Sequence, residues 1–197
     1  MKVRLGPALL MAPSPGAGGN VVKLLQTAAS LENLATAVYD AARNLSVESG
    51  VLDLCTRAAA MHTEHARAFN EAAVRAGGKA QEGPNPKYAR AVQAALGKLA
   101  TAVDAVKLAA TVEDVTVQTY VRNVVTVPTP QLRELFAGTA GADAQQLAAL
   151  LVVQALLTAG QPFPPDPARL PAAALAAGVA HALFPVDRAS PADEGAV

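Results

Sequence analysis

Six polar side chains interrupt an otherwise apolar set of helical segments, and their types could build a metal site. They are carboxylates, imidazoles and one amide at the same level of four predicted helices: Glu32, His62, His65, Glu113, Asp143 and Gln146. A carboxylate in a helix-bundle core is costly unless it is paired, protonated or bound to a metal. His62 and His65 lie three residues apart, which puts both imidazoles on one helix face. A divalent metal would use the carboxylates and the imidazoles together.

The spacing of the apolar residues places these six side chains on the inward face. In the first predicted helix, the seam positions advance by alternating steps of four and three: Val21, Leu25, Ala28, Glu32, Ala35, Tyr39 and Ala42. This spacing is typical of the seam between packed helices. The second helix shows it from Val51 to Ala72, with His62 and His65 in the seam. An offset of 81 residues generates the seams of the other two helices, Ala102 to Asn123 and Leu132 to Val153.

The same offset relates two short motifs, which predicts an internal repeat. Glu32, followed seven residues later by Tyr39, maps onto Glu113, followed seven residues later by Tyr120. Both tyrosines are expected in the core, each with a partner for its hydroxyl group. The chain is therefore predicted to hold two copies of one helical hairpin.

Capping residues and prolines predict four long helices and one domain over residues 20–160. The predicted ranges are 20–44 with Asn20 as N-cap, 49–76 before Gly77, 86–124 after Asn85, and 130–158 after Thr129.

Residues 161–197 form a proline-rich, irregular extension, with one or two short helices expected at 170–183 and an end that is either disordered or draped over the bundle. Residues 1–19 are interpreted as a flexible N-terminal arm or a weak secretory signal. The protein is exported if that arm is a signal, and cytoplasmic otherwise.

Composition favours an all-α fold and excludes some functions. Apolar residues make up 52% of the chain and aromatic residues only 4%, which suits Ala- and Leu-rich helices better than strands. The net charge is zero, so no basic field exists to hold nucleic acid. The single cysteine, Cys55, excludes an intrachain disulfide and a cysteine-based zinc site. The most apolar stretch, 147–159, is too short to cross a membrane, so no transmembrane segment is predicted.

The segment Ser30-Leu31-Glu32 with Tyr39, together with Glu113, resembles the ferritin-like superfamily, in particular its bacterial ferritin-like proteins. The resemblance covers about residues 21–158. It implies an up-down antiparallel four-helix bundle with a long crossover. In that family two helices each supply one glutamate, and the other two each supply a Glu-x-x-His pair around two metal ions. Glu32 and Glu113 match the two single glutamates.

The other four positions depart from the family pattern. His62-x-x-His65 stands where the family has Glu-x-x-His on the second helix, so His65 matches and His62 does not. Asp143 keeps a carboxylate on a shorter side chain, and Gln146 replaces an imidazole with an amide. A dinuclear site, a mononuclear site, a site for another metal and a metal-free core all stay open. In the last case, Glu32–His65 and Glu113–His62 pairs would satisfy the polar groups.

Two functions from different classes follow from the resemblance. The first is a metalloprotein that binds iron or manganese for redox or oxidative-stress chemistry, with the question of catalysis left open. The alternative is a non-enzymatic ferritin-like scaffold or binding protein that has lost the metal. A third, weaker hypothesis is a small-ligand pocket among the alanine side chains. A homodimer is a reasonable expectation that the sequence does not test.

Overall fold

The computed structural model describes residues 17–45, 49–161, 189–191 and 193–197. All regular secondary structure in this part of the chain is helical. Five helices are present: α1 (Ala17–Arg43), α2 (Ser49–Arg75), α3 (Pro86–Leu96), α4 (Ala102–Val124) and α5 (Pro130–Thr158). The all-helical fold class predicted from the sequence is confirmed.

The four long helices pack as two hairpins that lie against each other. α1 runs along α2, and α4 runs along α5, because short connections force neighbouring helices together. Across the bundle, α1 packs on α4, and α2 contacts α5. The short helix α3 belongs to the connection between the hairpins and lies against α1 and α4. Each of the four long helices therefore presents one face to a common core.

Two predicted boundaries are wrong. The helix predicted over 86–124 is two helices, because Gly97 ends α3 and Thr101 starts α4. The Thr101 side chain accepts a hydrogen bond from the Asp104 backbone, and the Asp104 side chain accepts one from the Thr101 backbone. This reciprocal pair is a capping box, which satisfies backbone donors that a new helix leaves unpaired. Asn20 is not an N-cap either, since α1 begins at Ala17.

The predicted starts of α3 and α5 are confirmed. The Asn85 side chain accepts a hydrogen bond from the Lys87 backbone, with a proline at the first helical position. Thr129 caps α5 in the same way through the Leu132 backbone, again ahead of a proline. A proline at this position loses nothing, because its missing N–H would have no partner within the helix. These caps fix the entry of α3 and α5 into the bundle.

The predicted seams face the core. Every seam position is buried except four that are partly buried: His65, Ala102, Leu132 and Gln146. The buried apolar residues fall into two clusters. One contains Ala35, Cys55 and Leu147, and the other contains Ala28 and Phe69. The polar layer lies between them along each long helix.

Cys55 and α5 are two further features of the described helices. Burial raises the pKa of the Cys55 thiol to about 11, which makes this core cysteine poorly reactive. α5 is long and apolar enough to cross a membrane by length and composition alone, as the core helix of a bundle also can be. The N-terminal arm up to residue 16 and the one or two short helices expected at 170–183 lie outside the described residues.

Candidate metal centre

The polar layer brings together side chains from all four long helices. Glu32 on α1, His62 on α2, Glu113 on α4 and Asp143 on α5 are each fully buried. His65, one helical turn after His62, keeps 19% of its side chain exposed. Charged groups in such a place need partners, because burial removes their hydration. The partners that each group finds decide what the layer can do.

His62 joins the two buried glutamates. Its Nδ1 lies 2.6 Å from Oε2 of Glu32, and its Nε2 lies 2.9 Å from Oε1 of Glu113. Both ring nitrogens thus face carboxylate oxygens, and a doubly protonated imidazole donates to both. Burial alone would lower the pKa of His62, but Glu113 and Glu32 raise it well above its usual value. His62 is therefore held as a cation between two anions.

Two tyrosines complete the glutamate contacts in a reciprocal way. The Tyr39 hydroxyl on α1 donates to Oε1 of Glu113 on α4 over 2.5 Å. The Tyr120 hydroxyl on α4 donates to Oε1 of Glu32 on α1. Burial, followed by the nearby glutamates, raises the pKa of both hydroxyls well above the ordinary value, so both remain donors. Each tyrosine thus orients the glutamate of the opposite hairpin.

His65 and Asp143 form the second half of the layer. Nδ1 of His65 lies 3.3 Å from Oδ1 of Asp143 and 3.5 Å from Oε2 of Glu32. These are ion-pair distances, but within the described structure Nδ1 of His65 and both Asp143 oxygens make no hydrogen bond. A buried carboxylate with neither oxygen hydrogen-bonded is rare in folded proteins. Asp143 therefore still offers both oxygens to a partner.

The carboxylates of the layer carry opposite pKa shifts. Burial would raise the pKa of Glu32, but the charge of His62 and its hydrogen bond, with His65, lower it to about 2. Burial, followed by the charge of Glu32, raises the pKa of Asp143 to about 8 against the opposing effect of His65. Burial opposes the charge on His65, but its contacts with Asp143 and Glu32 raise its pKa to about 9. Protons thus balance much of the negative charge in the metal-free layer.

Four of the six predicted side chains form one candidate ligand set. Glu32, His62, His65 and Asp143 each offer one ligand atom, and these atoms all lie within 4.8 Å of one another. Two donors on opposite sides of one ion at bond lengths near 2.1 Å are about 4.2 Å apart, so a pair near the 4.8 Å limit would have to approach slightly. Nδ1 of His62 and Oε2 of Glu32 are only 2.6 Å apart and would have to separate. Imidazole nitrogens and carboxylate oxygens suit iron, manganese and zinc.

Glu113 and Gln146 lie outside that set. Glu113 uses Oε1 for His62 and Tyr39, on the far side of the His62 ring from Glu32. Gln146 is partly buried, and its Nε2 lies 3.5 Å from the Tyr39 hydroxyl, at the limit of a hydrogen bond. The amide therefore belongs to the surroundings of Glu113. Of the two metal-free pairs expected, Glu113–His62 is a hydrogen bond and Glu32–His65 is only an ion pair.

A family model described as a ferritin-like domain matches residues 20–156. The chain belongs to the ferritin-like family. The match spans all five helices except the first turn of α1 and the last residues of α5. Comparisons with curated proteins and with solved structures find no match.

One feature of this ferritin-like layer was missed from the sequence. Tyr39 and Tyr120 were expected to have hydroxyl partners, but not to bond the glutamate of the opposite hairpin. Part of the signal was available, because both tyrosines follow a seam glutamate by seven residues. Seven residues along a helix are about 10 Å, so each tyrosine lies two turns beyond the glutamate of its own helix. The spacing alone does not say which helix supplies the partner.

Proposed function

We propose that this ferritin-like protein binds one divalent transition-metal ion, iron or manganese, through Glu32, His65 and Asp143, with His62 as the fourth ligand. The observation that carries the proposal is the state of Asp143. Its carboxyl group is fully buried, and neither oxygen is hydrogen-bonded within the described structure. A cation next to Asp143 would offset the desolvation of the carboxylate, and Nδ1 of His65, which makes no hydrogen bond among the described residues, would also ligate after losing its proton.

A single ion is favoured over two because of what surrounds Glu113. A dinuclear carboxylate site draws on four carboxylates and two histidines. Here Oε1 of Glu113 is engaged by both His62 and Tyr39, while its Oε2 makes no hydrogen bond within the described structure. Gln146 is directed to the Tyr39 hydroxyl. If His62 ligates through Nδ1, its ring is neutral but its Nε2–H still donates to Glu113, so Glu113 keeps a protein partner without a second ion. The remaining donors suffice for one ion.

The residues of the layer would have distinct roles. Iron or manganese, when bound, would supply one-electron redox chemistry. Tyr120 orients the carboxylate of Glu32, and the two apolar clusters keep bulk water away from the layer. His65 is the one partly exposed member of the ligand set, so exchange with solvent would occur on its side. Oxidative-stress chemistry is the function that this arrangement best fits.

A second candidate function is a metal-free ferritin-like scaffold. The observation that favours it is His62, whose two ring nitrogens lie within hydrogen-bond distance of Glu32 and Glu113. In this case the layer would be an internal hydrogen-bond network. Replacing such a network with apolar side chains is often neutral or stabilising. The two functions therefore differ in a measurable way.

Metal analysis of the full-length protein, produced with iron and manganese supplied, separates the two. We expect about one ion per wild-type chain, a loss of at least tenfold in Asp143→Asn, and little change in the matched variant Glu113→Gln. Both substitutions turn a buried carboxylate into an amide of the same shape. A wild-type chain without metal, which becomes more stable when Glu32 and Glu113 are both made apolar, would establish the scaffold instead.

A further inference from the structure

The last residues of the chain lie in a groove on the outer side of the bundle. The groove is formed by α1, α4 and the segment that joins α2 to α3. Its walls carry polar side chains that are each at most 8% exposed: Gln26, Thr27, Ser30, Gln81, Asn85 and Thr119. Buried polar side chains require hydrogen-bond partners. The C-terminal segment, residues 189–191 and 193–197, supplies many of them.

The groove holds the segment mainly through its backbone. The Ser190 amide donates to Thr119 over 2.8 Å, and the Gly195 amide donates to Thr27 over 3.1 Å. The Gln81 side chain donates to the Gly195 carbonyl over 2.6 Å. At the end of the chain, Gln26 accepts from the Val197 amide over 3.1 Å and donates to its carbonyl oxygen over 3.4 Å.

One position of the segment is selected by shape. A Cβ atom on Gly195 would lie 2.8 Å from Cα of Thr27 and closer still to the Ser30 hydroxyl. The first of these neighbours is a backbone atom, so the segment or α1 would have to shift at a cost. Gly138 on α5 makes a contrast, since a Cβ there meets nothing within 4 Å. The groove therefore accepts a glycine at the third residue from the end and rejects a side chain.

Side chains near the end of the segment contribute less. Val197 is 67% exposed, although its backbone amide and its carbonyl oxygen are both hydrogen-bonded to the Gln26 side chain. Ser190 is the exception, because its hydroxyl accepts from the Asn85 amide over 3.3 Å. Backbone hydrogen bonds combined with one shape-restricted position are a common way for proteins to bind an extended peptide.

We propose that this groove is a peptide-binding site, and that its occupant is the chain's own C-terminal segment. Binding fastens α1 and α4 to the segment between α2 and α3, because Thr27, Thr119 and Gln81 come from these three elements. The site would accept an extended peptide with glycine at the position that Gly195 occupies. The inference does not depend on metal binding, because none of the groove residues belongs to the ligand set.

Hydrogen exchange of the full-length chain tests the contact. In Gly195→Ala we expect the backbone amides of Ser190, Gly195 and Val197 to exchange at least tenfold faster than in the wild type. The matched control Gly138→Ala adds the same methyl group where there is space, and should leave these amides unchanged. Unchanged protection in Gly195→Ala, with the bundle folded by circular dichroism, would overturn the proposal. Should that variant not fold, Gln81→Ala, which removes one bond to Gly195, is expected to accelerate the same amides.

A labelled nine-residue peptide with the sequence of residues 189–197 tests the site in trans. We expect saturable binding to the Gly195→Ala chain, whose groove is open, and at least tenfold weaker binding to the wild-type chain. A peptide carrying the same glycine-to-alanine change should not bind. Equal binding to both chains, or binding to neither, would contradict a peptide site. Protection of the wild-type amides that is lost on dilution would instead assign the segment to a second copy and overturn the assignment to the chain's own end.

Discussion

Nδ1 of His62 lies 2.6 Å from Oε2 of Glu32, closer than two ligands of one metal ion can lie. Donors at about 2.1 Å from a tetrahedral ion are separated by about 3.4 Å. The hydrogen bond and joint ligation therefore exclude each other at these two atoms. In the metal-free layer, protons on the histidines supply the positive charge that a metal ion would otherwise supply. Metal binding must displace at least one of them.

Metal binding is therefore expected to release protons. At neutral pH, His65 with a pKa of about 9 and Asp143 with a pKa of about 8 are mostly protonated, and the Nδ1 proton of His62 must also leave if His62 ligates. We predict about one to three protons released per ion at pH 7, and an affinity that rises with pH up to about 9. Calorimetric titration with Mn²⁺ in buffers of different ionisation enthalpy measures the number. Tight binding with no proton release would contradict the metal-free arrangement described here.

Removal of the His62 cation should destabilise the metal-free bundle strongly. His62→Ala leaves Glu32 and Glu113 buried without their shared partner, and breaking a buried ion pair in this way typically costs about 3–5 kcal/mol. Urea unfolding with metal chelated measures the free energy of unfolding. Arg67→Ala on the same helix is the matched control, since its pairs with Glu64 and Glu71 are exposed and should matter far less. Equal losses in the two variants would show that His62 is not the counter-ion of the layer.

The two tyrosine hydroxyls should contribute similarly to stability. Tyr39→Phe and Tyr120→Phe each remove one donor to a buried glutamate, at a cost of about 1.5–3 kcal/mol for a hydrogen bond to a charged group. Tyr88→Phe, at a partly exposed position on α3, should cost clearly less, because water can replace the partner of a hydroxyl that is not fully buried. The same urea measurement compares the three variants. A negligible loss in either core variant would mean that its glutamate finds another partner.

The stability of the metal-free protein should fall as pH rises from about 6.5 to 9. The pKa of His65 is raised, so its contribution is fully present below its unfolded value and is lost as pH passes about 9. The raised pKa of Asp143 acts in the same direction but over a lower window, from its ordinary value of 3.8 up to about 8, because the folded state holds that proton there. Thermal unfolding across this range, with a chelator present, should show Tm decreasing. In Asp143→Asn the decrease should be smaller, and a flat wild-type profile would contradict both shifts.

The acid side should show the opposite trend. Because the pKa of Glu32 is lowered to about 2, its contribution is present above about pH 4.5 and is lost as pH falls towards 2. Glu32→Gln should remove this part of the acid dependence. The comparison uses the same thermal unfolding series. If stability is lost at low pH in Glu32→Gln just as in the wild type, other carboxylates cause that loss.

Much of the fold could be predicted from periodicity and caps. The alternating spacing put Glu32, His62, Glu113 and Asp143 on the inward face, and all four are fully buried. The seam could be recognised in the sequence because its apolar residues recur at positions that all face the core. The break before α4 was missed, although Thr101 and Asp104 have the spacing of a capping box. The long apolar pattern predicted one continuous helix, and the capping signal that marks the break involves only two residues.

The partners within the layer could be predicted less well. Spacing along a helix gives the level of a side chain, not its rotamer, so it could not decide that His62 rather than His65 bridges the glutamates. It also could not show that Gln146 is directed to Tyr39. The C-terminal segment was left open between disorder and contact with the bundle, since it is held mainly by backbone hydrogen bonds that leave no pattern in the sequence.

The most direct test of a one-metal layer is a count of bound Mn²⁺ by electron paramagnetic resonance during titration of the metal-free, full-length protein. We predict one tightly bound ion per chain, a spectrum without coupling between two manganese ions, and loss of tight binding in Asp143→Asn but not in Glu113→Gln. Two coupled ions per chain, or no tight binding to the wild type, would contradict the account.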